Sequence, residues 1–420
     1  METHKQLTIG LFGFGVVGEG LYKVLQQTPS LKAGIKKICI KNTGKKRNAP
    51  ASLFTTERDE LLNDPDINVI VEVIDDADAA FHIVSTALTN GKDVVSASKK
   101  MIAEHLTALL ELQETTGRSL LYEAAACASI PVIRNLEEYY DNDLLHSIKA
   151  IVNGSTNFIL TKMFDEGLDF KQALVLAQQL GFAESNPKLD VEGYDAVNKW
   201  TFLLTHAYGI TEGPEHILFN GIQHIQAADA GVAKSKGQAI RLVAQAQKLR
   251  NGKVAAFVLP QFINQDDHLA FVKNEYNGVV IESGFADKQF FYGKGAGSFP
   301  TASAVLSDIA ALRYQYRYEY KKLYHHQPHQ LSNDIFLRVY VSFDDINLIP
   351  KDRFEWIEEW HANEDRKYLV GVISFDELKN NNWWRENNTS LVLTPDPVIE
   401  DLELRKLKKK SLELAGIMES

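Results

Sequence analysis

The chain has 420 residues, of which 45% are hydrophobic and 24% charged, and its formal net charge is -10. This length predicts two or three domains whose cores need no disulfide or metal, and the negative charge argues against a nucleic-acid-binding protein. Cys39 and Cys127 are the only cysteines, which excludes a disulfide framework and favours a reducing, cytoplasmic location. No apolar run is long enough to span a membrane, and residues 1–10 lack a secretory signal.

The first predicted elements are an apolar strand at residues 7–12, then a glycine-rich turn, and then a helix that continues past residue 25. The turn matches the pattern G-x-G-x-x-G in the strand–turn–helix context of dinucleotide-binding proteins. Its glycines would permit a tight turn, close approach to a pyrophosphate, and close packing of helix on strand. The helix N-terminus would then bind the phosphates. A glycine-rich turn in an unrelated protein is the alternative. The predicted cofactor-binding residues here are Gly13, Phe14, Gly15, Val16, Val17 and Gly18.

The second predicted strand, residues 35–40, leads into a basic loop. An NAD-specific site usually has an acidic residue near the end of this strand, to bind the ribose 2′-hydroxyl. Residues 41–47 contain no acid but carry Lys41 and Arg47. A basic loop suits the 2′-phosphate of NADP, so NADP is the preferred cofactor, with NAD possible. A solvated surface loop is the alternative.

Further strands are predicted at residues 69–74, 93–96 and 120–123, with a helix at residues 79–90 between the first two. This alternation predicts an α/β fold with a doubly wound, Rossmann-type parallel sheet covered on both faces. Ligands bind such sheets at the carboxyl ends of the strands. Candidate site residues therefore follow the strands: Asp75, Asp76, Ser98, Lys99 and Glu123.

The middle of the chain carries a cluster of charged residues on a predicted helix. Residues 188–208 have helical periodicity, and the i, i+4 spacing of Asp195 and Lys199 places them on one face. Asp190 lies near the start of this helix, where an acid suits the helix dipole, and Glu184 lies in the loop before it. The group would suit a zwitterionic substrate. A surface ion pair on an ordinary helix is the alternative.

Six segments in this order resemble the homoserine dehydrogenase family, and the resemblance spans about residues 5–312. The most specific segment is LGFAESNPKLDVEGYDAVNK, residues 180–199. The others are residues 13–18, 94–105, 122–131, 152–163 and 293–308.

The resemblance implies an NAD(P)H-dependent oxidoreductase that interconverts L-aspartate 4-semialdehyde and L-homoserine in threonine and methionine biosynthesis. It implies a nucleotide-binding domain, residues 1–135 plus about 299–320, completed by a helix at residues 301–312. A mixed α/β catalytic and dimerisation domain would occupy residues 136–298. The expected assembly is a homodimer or homotetramer. No contact with nucleic acid or membrane and no fused aspartate kinase are expected.

The resemblance also assigns roles to individual residues. Lys199, Asp195 and Lys99 are implied in catalysis, with Lys199 the favoured proton donor. Substrate binding is implied for Glu184, Asp190, Gly181 and Asn153. Further cofactor contacts are implied for Ile74, Ser98, Lys99 and Gly297. A monovalent cation such as Na⁺ would be held by Glu123, Ala126, Ala128 and Ile130.

Three departures from the family pattern concern the proposed site. Asp75 and Asp76 replace a glycine pair after the third strand, Ser98 replaces an asparagine, and Ala128 and Ser129 replace a second glycine pair. These changes would affect cofactor affinity and rate rather than the fold. The alternatives are a fold-retaining regulatory or nucleotide-binding paralogue with little turnover, and a reductase of another amino-acid semialdehyde.

The last hundred residues predict a small α+β domain, residues 330–420, similar to an ACT regulatory domain. Strands are predicted at residues 335–341, 367–373 and 390–394, and helices at residues 354–360 and 399–415. Before them, tyrosines alternate at positions 314–320, which fits either one face of a strand or a helix end. The histidines at 325, 326 and 329 are interpreted as part of a solvated linker rather than as metal ligands.

Overall fold

The computed structural model describes residues 6–142, 144–325, 328–362, 367–386 and 389–408. The chain divides into two compact units. The first comprises Met1–Leu144, Asn198–Pro214 and Phe291–Pro328, and the second comprises Leu145–Val197, Glu215–Phe290 and His329–Ser420. In the described ranges, no helix is both long and apolar enough to cross a membrane.

The elements up to residue 142 alternate between strands and helices. In chain order they are β1 (Leu7–Phe12), α1 (Val16–Gln26), β2 (Ala33–Cys39), β3 (Phe54–Thr55), α2 (Asp59–Leu62), β4 (Val69–Glu72), α3 (Ala77–Thr89), β5 (Asp93–Ser96), α4 (Lys99–Thr116), β6 (Leu120–Leu121), α5 (Glu123–Cys127) and α6 (Val132–Arg134).

The remaining elements include the antiparallel strands. They are β7 (Leu145–Ile151), α7 (Gly154–Glu166), α8 (Phe170–Gln179), α9 (Lys188–Val191), α10 (Tyr194–Tyr208), β8 (Leu218–Phe219), α11 (Ala227–Ser235), β9 (Gln238–Lys248), β10 (Val254–Asn264), β11 (Tyr276–Ser283), β12 (Asp287–Lys294), α12 (Ser298–Leu312), β13 (Phe336–Ser342), β14 (Phe354–Ala362), β15 (Lys367–Ser374), α13 (Phe375–Asn380) and β16 (Ser390–Ile399). Residues 401–408 are helical.

The first unit contains the predicted Rossmann-type sheet. Its six strands are parallel and follow the order β3-β2-β1-β4-β5-β6. The apolar runs of β1 and β4 are buried almost throughout, as expected for strands that helices cover on both faces. Helix α12 lies much later in the chain but belongs to the same unit, and its buried residues include Val305 and Ile309. The predicted parallel sheet is confirmed.

The second unit contains a mixed sheet of ten strands. Nine follow the order β12-β11-β7-β9-β10-β16-β13-β15-β14, and β8 pairs with β10. The long central pair β9 and β10 is antiparallel over eleven residue pairs. Helices α7 and α11 pack on β9. This arrangement agrees with the mixed α/β domain that the sequence predicted.

The C-terminal strands join this sheet, and the predicted separate ACT-like domain is not observed. β16 pairs in parallel with β10 through Gln261 and Leu393. One buried core cluster contains Phe257 from β10 together with Val339 and Leu393. Because the tail shares both a sheet and a core with β10, residues 329–408 belong to the second unit.

The predicted helix at residues 354–360 was wrong, because this segment is strand β14. Its register against β15 shifts at two places, between Phe354 and Trp356 and between Ile357 and Glu359. Each β-bulge adds one residue and interrupts the period of two. Apolar residues consequently recur every third position, at 354, 357 and 360, which imitates the spacing of a helix.

The predicted helix at residues 188–208 is divided into two. Helix α9 ends at Val191, and α10 begins at Tyr194. Gly193 lies between them at φ +88°, and a Cβ there would lie 3.1 Å from the carbonyl of Asn220. This conformation requires glycine, so Asp190 belongs to α9 and not to the helix that carries Asp195.

The tyrosine-rich segment forms neither a regular strand nor a helix end beyond residue 314. Burial nevertheless alternates at its end, because Tyr318 and Tyr320 are buried and residues 317 and 319 are exposed. The predicted strands at 335–341, 367–373 and 390–394 are confirmed by β13, β15 and β16. Residues 409–415 of the predicted final helix and His326 lie outside the described residues.

Candidate active site

The glycine turn has the geometry that a dinucleotide requires. Gly13 adopts φ +98°, and a Cβ on Gly18 would lie 2.3 Å from the carbonyl oxygen of Gly13. By contrast, a Cβ on Gly15 would meet no atom within 4 Å. Gly13 and Gly18 therefore close the turn, while Gly15 leaves open space at the N-terminus of α1. No side chain caps this helix, so its first N–H groups can bind a phosphate.

Residues predicted around this turn are brought close to it. Gly297, at φ +116°, is the N-cap of α12, and the Oγ of Ser298 donates a hydrogen bond of 2.7 Å to the carbonyl of Val16. A Cβ on Gly13 would lie 3.1 Å from the side chain of Ile74. The structure therefore assembles three distant segments of the chain at the start of α1.

The basic loop after β2 folds around Arg47. Its guanidinium donates hydrogen bonds to the carbonyls of Lys45, at 2.8 Å, and Asn42, and lies 5.5 Å from the ring centre of Phe54. Phe54 in turn contacts Phe14 of the glycine turn at 5.2 Å between ring centres. Arg47 thus holds the loop beside the turn. The side chains of Lys41, Lys45 and Lys46 are exposed.

One member of the acidic pair that departs from the family pattern has a structural role. Asp75 and Asp76 are both exposed, and a carboxylate oxygen of Asp76 accepts a hydrogen bond of 3.1 Å from the N–H of Ala79. Asp76 is therefore the N-cap of α3, a position where aspartate is among the preferred residues. The strand that precedes this pair ends in Glu72, a completely buried acid that the sequence analysis missed. An acidic residue in the apolar run VIVE was the signal that could have identified it.

Residues predicted to follow β5 lie at the start of α4. Ser98 is buried, and its N–H donates a hydrogen bond of 3.1 Å to the Oγ of Ser96. Lys99 is the first residue of α4 and is exposed. Both residues thus lie at the carboxyl edge of the parallel sheet, where ligands of such folds bind.

In the second unit, Asn153 joins two of the predicted acidic residues. Its Nδ2 donates hydrogen bonds of 2.7 Å to Asp190 and 2.8 Å to Asp195. Its Oδ1 accepts a hydrogen bond of 2.8 Å from the N–H of Thr156, which caps α7. A single amide therefore fixes two carboxylates at one helix N-terminus. Asp190 is partly exposed and Asp195 is 5% exposed.

The predicted proton donor and the other predicted substrate residues lie on segments nearby in the chain. Lys199 follows Asp195 by one turn of α10 and is 6% exposed. Gly181 adopts φ +78° after α8, and its N–H bonds to the carbonyl of Gln178. Glu184 is exposed, and its backbone carbonyl accepts a hydrogen bond of 2.9 Å from the side chain of Gln178. The carboxylate of Glu184 is therefore accessible to a ligand.

The second half of α10 is held by a buried polar network in the first unit. His206, seven residues after Lys199, contacts Glu137 at 2.6 Å and the hydroxyl of Tyr122 at 2.8 Å. Lys322 donates hydrogen bonds of 2.6 Å to the carbonyls of residues 136 and 206. Because these groups are buried and bonded, they restrain the helix that carries Lys199.

Glu123 anchors the backbone of the next turn in the first unit. Its two carboxylate oxygens accept hydrogen bonds of 2.8 Å from the N–H of Ile133 and 3.0 Å from the N–H of Arg134. Asp308 bonds to the N–H of Glu123 at 3.0 Å and to the guanidinium of Arg134 at 2.7 Å. Burial raises the pKa of Glu123 to about 7 and that of Asp308 to about 6.

The chain reverses direction just after Glu123. Ile130 donates a backbone hydrogen bond of 3.1 Å to Cys127. Ala128 adopts φ 45° and ψ -103° in this turn, which is a conformation that favours glycine. The Oγ of Ser129 donates a hydrogen bond of 3.0 Å to the carbonyl of Lys294. Ala126 and Ile130 are buried, and both cysteines are buried and form no disulfide.

The described residues hold no cluster of three His, Cys, Asp or Glu side chains suited to a metal. A polar groove of about 550 Å³ lies in the second unit and is lined by residues including Lys149, Glu282 and Asp396. None of the predicted site residues lines it.

Comparison with known proteins agrees with this geometry. The homoserine dehydrogenase family model matches residues 131–310, and the model of the NAD-binding domain of homoserine dehydrogenase matches residues 13–123. Homoserine dehydrogenase of Bacillus subtilis is 35% identical over 317 residues, which are 73% of this chain and 73% of the relative. The enzyme of Corynebacterium glutamicum is 35% identical and covers 72% of this chain and 70% of the relative.

Solved structures show the same relationship. A homoserine dehydrogenase from Thiobacillus denitrificans superimposes with a TM-score of 0.80 at 25% identity, covering 93% of this chain and 98% of that chain. A hyperthermophilic archaeal homoserine dehydrogenase in complex with NADPH gives a TM-score of 0.65 at 28% identity, covering 75% and 99%. The glycine turn, the Asn153–Asp190–Asp195 group and these matches together show that the chain belongs to the homoserine dehydrogenase family of NAD(P)-dependent oxidoreductases.

Proposed function

We propose that this chain interconverts L-aspartate 4-semialdehyde and L-homoserine with a nicotinamide cofactor, as a step of threonine and methionine biosynthesis. The observation that carries the proposal is the amide of Asn153, which holds Asp190 and Asp195 together; Asp195 precedes the buried Lys199 by one turn of α10. Carboxylates suit the α-ammonium group of the substrate, and a lysine suits its aldehyde oxygen. The open glycine turn fits the pyrophosphate of the cofactor.

The residues of the proposed site have distinct roles in this reaction. The reduced nicotinamide, when bound, supplies the hydride. The ammonium of Lys199 donates a proton to the oxygen of the forming alkoxide, or stabilises its charge in a site that excludes water. Asp195 orients Lys199 from one turn earlier on α10. Glu184 and Asp190 bind the α-ammonium group, Gly181 shapes their loop, and Lys99 is a second active-site lysine.

The test is NADPH oxidation in the presence of aspartate semialdehyde. Lys199→Ala should lower kcat by about 10²- to 10⁴-fold, because it removes the general acid. Glu184→Gln should mainly raise KM for the semialdehyde. Lys100→Ala is the matched control, because Lys100 is an exposed neighbour of Lys99 whose ion pair with Glu104 is itself exposed.

The outcomes separate the candidate functions. A folded wild type that binds NADPH but turns over no aspartate semialdehyde would favour a regulatory paralogue or a reductase of another semialdehyde. Wild-type rates in both Lys199→Ala and Lys99→Ala would reject the assigned roles while leaving the activity in place.

A preference for NADP over NAD is supported by the exposed lysines of the basic loop, which Arg47 holds beside the glycine turn. Lys41→Glu/Lys45→Glu should raise KM for NADPH about tenfold or more and leave KM for NADH nearly unchanged, because only NADPH carries the 2′-phosphate. Lys32→Glu, at the opposite end of β2, is the control. Equal losses for both cofactors would contradict the preference.

A monovalent cation such as Na⁺ is a further expectation, with ligands from Glu123 and the carbonyls of Ala126, Ala128 and Ile130. Each oxygen of a carboxylate can accept a second contact, and a cation would offset the burial that raises the pKa of Glu123. Activity measured in sodium, potassium and choline salts at equal ionic strength tests this expectation. Identical rates in all three would contradict it.

The expected assembly is a homodimer or homotetramer in the cytoplasm. The molecular mass in solution, measured by light scattering, tests the assembly, and a monomer at micromolar concentration would contradict it. Two buried cysteines that form no disulfide are compatible with a reducing compartment.

A further inference from the structure

Glu72, the last residue of β4, has a buried carboxyl group whose two oxygens accept hydrogen bonds from two different segments of the chain. Oε1 accepts a hydrogen bond of 2.7 Å from the N–H of Ile74, in the loop after β4. Oε2 accepts a hydrogen bond of 2.6 Å from the Oγ of Ser96, the last residue of β5. The side chain is 0% exposed. One carboxyl group therefore links the ends of two adjacent parallel strands.

Ser96 extends this link into the loop after β5. Its Oγ accepts a hydrogen bond of 3.1 Å from the N–H of Ser98, and the backbone carbonyl of Glu72 accepts another of 3.1 Å from the N–H of Ala97. Residues 96–98 are thus bonded to Glu72 through both its backbone and its side chain. Lys99 follows directly and begins α4.

The glycine turn rests on the same segment. A Cβ on Gly13 would lie 2.9 Å from the carbonyl oxygen of Val73 and 3.1 Å from the side chain of Ile74. The N–H of Val73 bonds to the carbonyl of Phe12 at 3.0 Å. Any shift of residues 73 and 74 would therefore be transmitted to the turn that is to bind the pyrophosphate.

We propose that Glu72 is a positioning residue for the nicotinamide cofactor, which holds the loops after β4 and β5 and the base of the glycine turn in the geometry that binds it. The proposal rests on the proposed function, because Ile74, Ser98 and Lys99 are assigned to cofactor binding there. Glu72 acts through the backbone of these loops and does not itself contact the reacting atoms.

The chemistry of the carboxyl group supports this role. Burial raises the pKa of Glu72 to about 7, because a charged carboxylate is costly to remove from water. Its two oxygens accept hydrogen bonds from two donors, the N–H of Ile74 after β4 and the hydroxyl of Ser96 at the end of β5. An apolar side chain would leave the N–H of Ile74 and the hydroxyl of Ser96 without these partners.

The test compares Glu72→Ala, Glu72→Gln, Ser96→Ala and Val71→Ala in the full chain. Dissociation constants for NADPH come from fluorescence titration, steady-state constants from the dehydrogenase assay, and Tm from thermal unfolding. Val71, the preceding residue of β4, is equally buried and contributes no polar group, so Val71→Ala is the control for lost packing.

The expected results differ between the variants. Glu72→Ala should raise the Kd and KM for NADPH on the order of tenfold while lowering kcat less than about threefold. Ser96→Ala should give a smaller loss of the same kind. Glu72→Gln, which keeps one acceptor and the shape of the side chain, should retain a Kd within about threefold of wild type. Val71→Ala should lower Tm without changing Kd.

Two results would overturn the proposal. One is a Kd in Glu72→Ala that equals the Kd of Val71→Ala at a matched loss of Tm. The other is a loss in Glu72→Gln as large as in Glu72→Ala. Failure of the proposed function would give a different result, because the wild type itself would then bind no NADPH.

Discussion

The glycine turn of residues 13–18, after β1, and the turn of residues 127–130, after α5, both place a residue at positive φ, but they are built differently. In the first turn, Gly13 takes this conformation and Gly15 faces open space. In the second, Ala128 takes it and the hydroxyl of Ser129 bonds to Lys294. The first turn leaves its backbone accessible to a ligand, whereas the second is tied to protein.

This difference explains how a departure from the family pattern can be tolerated. Side chains at 128 and 129 strain one residue, but Ser129 gains a hydrogen bond to the end of β12. Side chains at 13 or 18 would collide with backbone that cannot move independently. Positive φ alone therefore does not identify a phosphate-binding turn, which also needs open space beside the backbone.

Gly18→Ala should have the largest effect, because its Cβ would lie 2.3 Å from the carbonyl oxygen of Gly13. We expect a loss of about 3 kcal/mol in the free energy of unfolding, together with loss of measurable NADPH binding. Gly34→Ala in β2, where a Cβ meets no atom within 4 Å, is the control in the same denaturation and titration experiments. Wild-type affinity in Gly18→Ala would show that the turn tolerates movement.

The two turns also differ in titratable groups. The glycine turn contains none, whereas the second turn follows the buried carboxyl group of Glu123. Glu123→Gln should therefore change the pH dependence of stability. Burial raises the pKa of Glu123 from 4.5 to about 7, so the folded protein binds this proton more tightly. Its contribution to stability is complete below about pH 4.5 and is lost as the pH rises through about 7.

The measurement is the free energy of unfolding by denaturant between about pH 5 and pH 8. Glu123→Gln should reduce the wild-type decrease by on the order of 2 kcal/mol. Glu111→Gln, an exposed position of α4, should leave the decrease unchanged. A steeper decrease in Glu123→Gln would contradict the direction of the pKa shift.

Gly15→Ala should separate binding from folding. Since the added Cβ would enter open space, Tm should stay within about 2 °C of wild type, which corresponds to less than about 1 kcal/mol. The Kd for NADPH should rise about tenfold, because the Cβ occupies the volume that the pyrophosphate needs. Unchanged affinity by fluorescence titration would argue against phosphate binding at this turn.

Ala128→Gly should have the smallest effect and the opposite sign. Relief of the unfavourable φ/ψ combination at Ala128 exceeds the entropic cost of glycine, so the free energy of unfolding should rise by about 1 kcal/mol. Ala124→Gly in α5 is the control and should destabilise. If both variants lowered Tm equally, the turn would not be strained.

The nucleotide-binding half of the site could be predicted largely from sequence. The apolar run of β1, the spacing of Gly13, Gly15 and Gly18, and the missing acid after β2 are local patterns, because a turn and its flanking strand and helix depend on neighbouring residues. The assignment of the remaining site residues came from the resemblance to a family, and the i, i+4 pair Asp195 and Lys199 was ambiguous on spacing alone.

Contacts between distant segments could not be predicted in this way. The amide of Asn153 meets Asp190 and Asp195 about forty positions later, and Glu72 meets Ser96 across two strands. Nothing in the local pattern specifies these partners, since a buried acid is compatible with any donor that the fold brings to it. Sequence indicated which chemical groups are present, and the fold decided which of them act together.

The C-terminal strands make the same point for architecture. Residues 335–341 and 390–394 were recognisable as strands from their apolar runs, because β propensity and burial are encoded over a few residues. The pairing of β16 with β10, more than a hundred residues earlier, depends on which strand edge is available. The two bulges that make an apparent helix into β14 depend on the register which that pairing partner imposes. Those choices arise only when the sheet assembles.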